Sequence, residues 1–273
     1  MKLTQAAFAI LFAIVCSTCV IGQPNASAED LLKTADEFRT KANPDNAIAY
    51  YERAAIEFIK KGNTEKAIDS YNQIGAILNR QDKYDKAKEY LEKALTLGRS
   101  SSDPESLAIA TTYITLGVTY GAEDQFVQSL AHHNKALSIR LSKLGKNSAE
   151  VATSYGNIGN IYFRKKEYDR AIEAHLKAKQ IREKIFGKNG VEVEQSYRNL
   201  GNAYKEKKNF KKSLAYYEKA LAIKIGQLGP SHKDLIRYYN TISEVYGLMG
   251  NKQRSDEYSN KGKEIEKLQK PAR

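Results

Sequence analysis

Ser196–Ile223, SYRNLGNAYKEKKNFKKSLAYYEKALAI, reads as two amphipathic helices joined by a short polar turn. Tyr197, Leu200, Gly201 and Tyr204 fall at i, i+3, i+4 and i+7, one face of a first helix. Ser213, Tyr217 and Ala220 mark the corresponding face of a second. The small residues stand where two helices must approach closely, and tyrosine fills the space beside them.

The same pattern returns every 42 residues in both directions. Tyr71, Tyr113, Tyr155, Tyr197 and Tyr239 keep that step, as do Ile74, Leu116, Ile158, Leu200 and Ile242. Gly75, Gly117, Gly159 and Gly201 form a third column, and Leu78, Tyr120, Tyr162, Tyr204 and Tyr246 a fourth. The second helix aligns as Ala87, Leu91 and Ala94, then Ala171, His175 and Ala178. Propeller blades have a similar length, but their strands need period two and none occurs. Breaks fall at Leu144–Asn147, Phe186–Asn189 and Leu228–Ser231, where Gly ends one helix and Asn or Ser can start the next.

The order Tyr-x2-Leu-Gly-x2-Tyr, then Ala, an aromatic residue and Ala, resembles the tetratricopeptide repeat, with Tyr in its usual Trp place. The longer step is similar to the repeats of kinesin light chains and spindle-orientation adaptors. This resemblance implies an all-α, right-handed solenoid of about six helical hairpins, at 29–61, 64–98, 105–141, 148–184, 190–226 and 232–268, before a frayed tail at 269–273. The first unit is looser, built on Leu31, Ala35, Phe38, Ala47, Tyr51 and Ala54, with a 40-residue step to the next. In the last, Ser243, Ser255, Ser259 and Gly262 replace the repeat residues. Its polar second helix suits a terminal cap.

Composition agrees with repetition of one template. The 273 residues include 18 Tyr but no Trp, and only five Pro interrupt helices. The chain opens with MKLTQ, then the apolar run AAFAILFAIVCSTCVIG, then Ala26-Ser27-Ala28. These are the three regions of a secretory signal peptide, with cleavage expected after Ala28. The mature chain then contains no cysteine and no thiol chemistry. A secreted or periplasmic protein is expected, with membrane attachment only if the N-terminal segment stays uncleaved.

Charge divides the chain unequally. Residues 29–104 carry 13 basic and 14 acidic side chains, whereas 105–273 carry 30 and 18. An acidic partner would be steered to the later repeats. RKKEYDR and KEKKNFKK also read as solvated hairpin turns, where lysine favours helix C-termini. Nucleic acid is not expected as a partner, because no module for it is present.

The resemblance implies that first helices line a concave groove. Opposite the packing stripe lie Asn157, Asn160 and Arg164, followed one unit on by Asn199, Asn202 and Glu206, flanked by Arg198 and Lys205, and then by Arg237, Asn240 and Thr241. Asn amides both donate and accept, so a row of them can pair with an extended peptide backbone. Arg and Lys beside them add charge-assisted bonds to carboxylates. Asn160, Asn199 and Arg237 match three of the five positions of the carboxylate clamp of chaperone adaptors. Gly156 and Thr241 stand where that clamp needs Lys and Arg.

Catalytic chemistry is not recognisable. His132, His133, His175 and His232 lack metal-ligand spacing, and His133 and His175 read as core residues of the second helices. No nucleophile with a partner base and no phosphate-cradling loop occurs. The expectation is an exported adaptor without cofactor or metal that binds an extended, acidic peptide of a partner protein in its concave groove. The alternative is an envelope scaffold acting through its basic outer surface, including Lys207, Lys208, Lys211 and Lys212. Self-association is compatible with both.

Overall fold

The computed structural model describes residues 26–269. The apolar run and the only two cysteines of the chain lie outside them, as does the tail after Gln269. Twelve α-helices form among the described residues. They are α1 (Ala28–Thr40), α2 (Pro44–Lys60), α3 (Thr64–Arg80), α4 (Tyr84–Arg99), α5 (Leu107–Ala122) and α6 (Phe126–Leu144). Then follow α7 (Ala149–Arg164), α8 (Tyr168–Phe186), α9 (Val191–Glu206), α10 (Phe210–Leu228), α11 (Ile236–Leu248) and α12 (Lys252–Leu268). One 3-10 turn, Lys233–Leu235, leads into α11.

Consecutive helices pack as hairpins, α1 with α2 through α11 with α12, and each hairpin stacks on the next. The second helices α4, α6, α8, α10 and α12 begin at 84, 126, 168, 210 and 252, so the 42-residue step survives into the fold. The first hairpin keeps its 40-residue offset, with α2 beginning at Pro44.

Local chemistry sets the boundaries. Asn43, Asn63, Ser106, Ser148, Asn209 and Asn251 each accept a backbone N–H at a helix start. Gly145, Gly187 and Gly229 follow α6, α8 and α10 at φ of 73°, 75° and 80°, a region that glycine enters without a Cβ penalty. Within the hairpins the turn also passes through positive φ, held in the first five by Ala42, Asp82, Asp124, Lys166 and Lys208 and in the sixth by Gly250. At the N-terminus Ser27 and Asp30 form a capping box, and Ala28 is fully buried. Ala26 packs partly buried against the same core as Ala28, so all three residues at the expected end of the leader contact the fold.

The core runs along the stack between first and second helices. Within the second to fifth hairpins the two helices approach closely at the glycine column. A Cβ on Gly75 would lie 2.8 Å from Leu91, and on Gly117 or Gly159 2.5 and 2.6 Å from the rings of His133 and His175. At Gly201 the neighbour is Tyr217, 3.0 Å away. His133 and His175 are thus core residues, each 1% exposed. Burial holds both imidazoles down to about 4, so they are neutral at physiological pH. In the last hairpin Ser243 replaces the glycine and donates to the Ser255 carbonyl at 2.7 Å. No helix among the described residues is long and apolar enough to cross a membrane.

Candidate functional site

Three of the residues selected from sequence converge on one cavity. Arg198 and Asn202 of α9 and Arg237 of α11 line a space of about 160 Å³ together with Tyr217, Tyr238 and Thr241. The cavity sits where the fifth hairpin meets the sixth. Its polar groups are ordered by one buried carboxylate, Glu194, which is 7% exposed.

Glu194 accepts a hydrogen bond from the Tyr238 hydroxyl and lies 3.4 Å from Arg198 Nε. Arg237 donates to the Tyr238 hydroxyl at 3.2 Å, and its guanidinium stands 5.0 Å from the Tyr238 ring centre. Burial, with the neighbouring Glu194, pushes the Tyr238 phenol up to about 12, so it keeps its proton and acts as donor. Tyr217 donates to Asn202 Oδ1, and burial likewise raises its pKa. Two guanidiniums thus face a cavity whose lining and buried support supply one carboxylate between them. Glu244, itself paired with Lys205, and Glu206 lie near enough to act on Tyr217, so the two guanidiniums are the cations of the lining but not the only charges around it.

The remaining expected residues are differently employed. Asn160 and Asn199 bond to each other across the hairpin interface, Nδ2 of Asn199 donating to Asn160 Oδ1 at 3.1 Å. Asn157 is half-buried on the same helix as Asn160. Arg164 reaches back to the α5–α6 turn, donating to the Gly121 carbonyl and pairing with Asp124 at 2.8 Å. It ties two hairpins together. Lys205 is held by Glu244 at 3.0 Å. Asn240 sits against α12, where its Oδ1 would be 3.0 Å from a Cβ on Gly262.

Glu194, Tyr217 and Tyr238 were not selected from sequence, although a signal existed. Glu194 occupies a column otherwise held by Ile68, Ala110, Ala152 and Ile236. Tyr238 occupies one held by Ser70, Thr112, Ser154 and Ser196. In the third and fourth hairpins an arginine uses that small serine: Arg140 donates to Ser154 at 3.0 Å and Arg182 to Ser196 at 2.7 Å. Two departures from the repeat meet at one interface, and they bond to each other. Among the described residues, no group of three or more His, Cys, Asp or Glu could hold a metal ion.

A stack of six helical hairpins with small-residue contacts between paired helices is a helical-repeat solenoid, a class built to bind other polypeptides. A tetratricopeptide repeat family model matches residues 66–142, 150–225 and 192–265, and the chain belongs to that family. No curated protein matches it. Among solved structures it is similar to BtubC (BKLC) from P. vanneervenii, at 19% identity and a TM-score of 0.70, over 91% of this chain and 96% of that one. TPR-like repeats assigned to a kinesin light chain of Podosopora anserina align at 17% identity and a TM-score of 0.65, over 74% and 96%. A signal transduction ATPase from Pyrococcus horikoshii with a tetratricopeptide repeat sensor aligns at 19% and 0.69, over 98% of this chain and 40% of that one. At such identities the likeness is one of fold. The fold and family make this chain a protein–protein interaction scaffold.

Proposed function

We propose that the protein is an exported adaptor that holds an extended acidic segment of a partner protein against its later repeats. The observation that carries this reading is the convergence of Arg198 and Arg237 on one cavity, with the buried Glu194 behind them. A partner carboxylate entering there would meet two guanidiniums and the Asn202 amide. The positive balance of residues 105–273 would speed its approach. Export rests on the leader pattern of the first 28 residues.

Fluorescence anisotropy with a labelled Glu-rich peptide, compared with its Gln counterpart, tests the reading. The acidic peptide is expected to bind in preference. Arg198→Ala with Arg237→Ala should weaken it by about 10–100-fold, as loss of paired charges does. Equal binding of both peptides, or an unaffected double variant, overturns the proposal. Affinity purification with the same two proteins would then name the partner.

A further inference from the structure

A second aromatic period, joining the first and second helix of each hairpin, is broken in one of them. In the third hairpin the His132 ring lies between Tyr113 and Tyr120, with centres 5.8 and 5.1 Å away. In the fifth, Tyr216 lies between Tyr197 and Tyr204 at 6.0 and 5.6 Å. In the sixth, Tyr258 lies between Tyr239 and Tyr246 at 6.2 and 5.5 Å. Tyr90 packs on Tyr71 at 6.1 Å in the second, where Leu78 stands for the other ring.

The fourth hairpin supplies both outer rings, Tyr155 and Tyr162, at the same spacing. Between them, 42 residues from His132 and from Tyr216, stands Ala174. The missing ring leaves a cavity of about 350 Å³ walled by Tyr155 and Tyr162, with Ile158 and Ala174 at its floor. It opens between the second helices α6 and α8, past Asn134 and Leu137 on one side. Lys177 and Arg170 stand 5.6 Å from the Tyr155 and Tyr162 ring centres, as the equivalent Lys219 and Lys212 stand by Tyr197 and Tyr204. The walls and their flanking cations are therefore in place and the central ring is absent. Glu173, where the third and fifth hairpins have Ala131 and Ala215, also lines the cavity and is paired with Lys177 at 2.8 Å.

The surface beside this slot is also distinct. Val127, Ala131, Asn134 and Ser138 lie along α6 at i, i+4, i+7 and i+11, all exposed and all uncharged. One repeat earlier the first three of these positions are Asp85, Glu89 and Glu92. Val127 is 75% exposed. An uncharged strip leading to a slot with aromatic walls suits a polypeptide that lies along α6 and inserts one side chain.

We infer that this slot receives an aromatic side chain from a partner polypeptide, which completes between Tyr155 and Tyr162 the three-ring stack that the chain completes for itself elsewhere. The inserted ring gains two aromatic contacts and burial of its faces. This site is separate from the Arg198–Arg237 cavity and does not depend on it.

The test uses p-cresol, the tyrosine side chain as a free molecule, and N-acetyl-tyrosinamide, followed by NMR on the full exported chain. Binding is expected with a dissociation constant of about 1–10 mM for a lone ring, with shifts centred on Ile158, Leu137 and Ala174. Ala174→Tyr fills the slot with the chain's own ring. It should raise the melting temperature and abolish the shifts. Tyr162→Leu, which copies Leu78, should keep the fold and weaken the probe several-fold, so the inference stays testable if Ala174→Tyr misfolds. Probe binding that is absent, or equal in wild type and variants, overturns it. A dimer lost in Ala174→Tyr would assign the ring to a second copy and overturn the separate partner. A partner captured through wild type and the Arg198→Ala, Arg237→Ala variant, but lost with Ala174→Tyr, supports it.

Discussion

The Tyr238 hydroxyl donates to the buried Glu194 carboxylate, joining two side chains 44 residues apart on neighbouring hairpins. Neither residue type belongs to the repeat at its position. Their bond brings Arg198 and Arg237 to opposite sides of one cavity, so the site depends on a pair of exceptions to an otherwise regular pattern.

Removing one member of that pair costs the other its shared hydrogen bond, although Glu194 keeps Arg198 beside it and Tyr238 keeps Arg237. Tyr238→Phe should destabilise the fold by about 1–3 kcal/mol, since a buried carboxylate loses its donor. Glu194→Ile, which copies Ile68 and Ile236, should recover much of that loss when combined with it. Urea unfolding of the two single variants and the double variant measures the coupling.

Charge at the site is unequal in its consequences. Arg237→Ala should weaken the Glu-rich peptide by about 10-fold. Lys205→Ala should leave it within about twofold, because Glu244 already holds that ammonium. Anisotropy titrations at matched salt separate the two.

Acid should destabilise the protein through its core. His133 and His175 sit at about 4 in the fold, against about 6.5 in an unfolded chain. The unfolded state therefore binds more protons between these values, so stability present above about 6.5 is lost as pH falls toward 4. The loss is on the order of 2–3 kcal/mol for each histidine. His133→Leu with His175→Leu, copying Leu91, should flatten that part of the stability–pH curve measured by chemical denaturation.

Glycine is demanded at two kinds of place, and substitutions should act with opposite sign. Gly159→Ala pushes a Cβ to 2.6 Å from His175 and should cost about 1–3 kcal/mol through overpacking. Lys208→Gly relieves a side chain held at φ 58° and should gain about 0.5 kcal/mol, the αL relief outweighing the added chain entropy. Thermal melts of both variants check the pair.

Much of the fold was legible in the sequence, as were three members of the site. Arg198, Asn202 and Arg237 were selected because they lie opposite a packing stripe, which local spacing reveals. Arg164 satisfies the same criterion and yet binds the Gly121 carbonyl and Asp124. Helical phase says which face a side chain leaves from, but a long side chain can still turn to a neighbour. Glu194 and Tyr238 were missed for the converse reason: both leave from the packing face, where a polar group was not sought.

By itself, the sequence determined the hairpins, their number and their register. Those follow from short-range spacing and a 42-residue step, and each is decided within one or two helices. Only the tertiary structure decided which polar atoms meet and which space stays empty. Asn160 with Asn199, Lys205 with Glu244, and Glu194 with Tyr238 are joined at separations of 39, 39 and 44 residues. None of these equals the repeat step. They arise because adjacent hairpins are offset and twisted as they stack, so side chains meet partners in other columns. The slot at Ala174 has the same origin, since a missing ring becomes a cavity only when two neighbours remain in place around it.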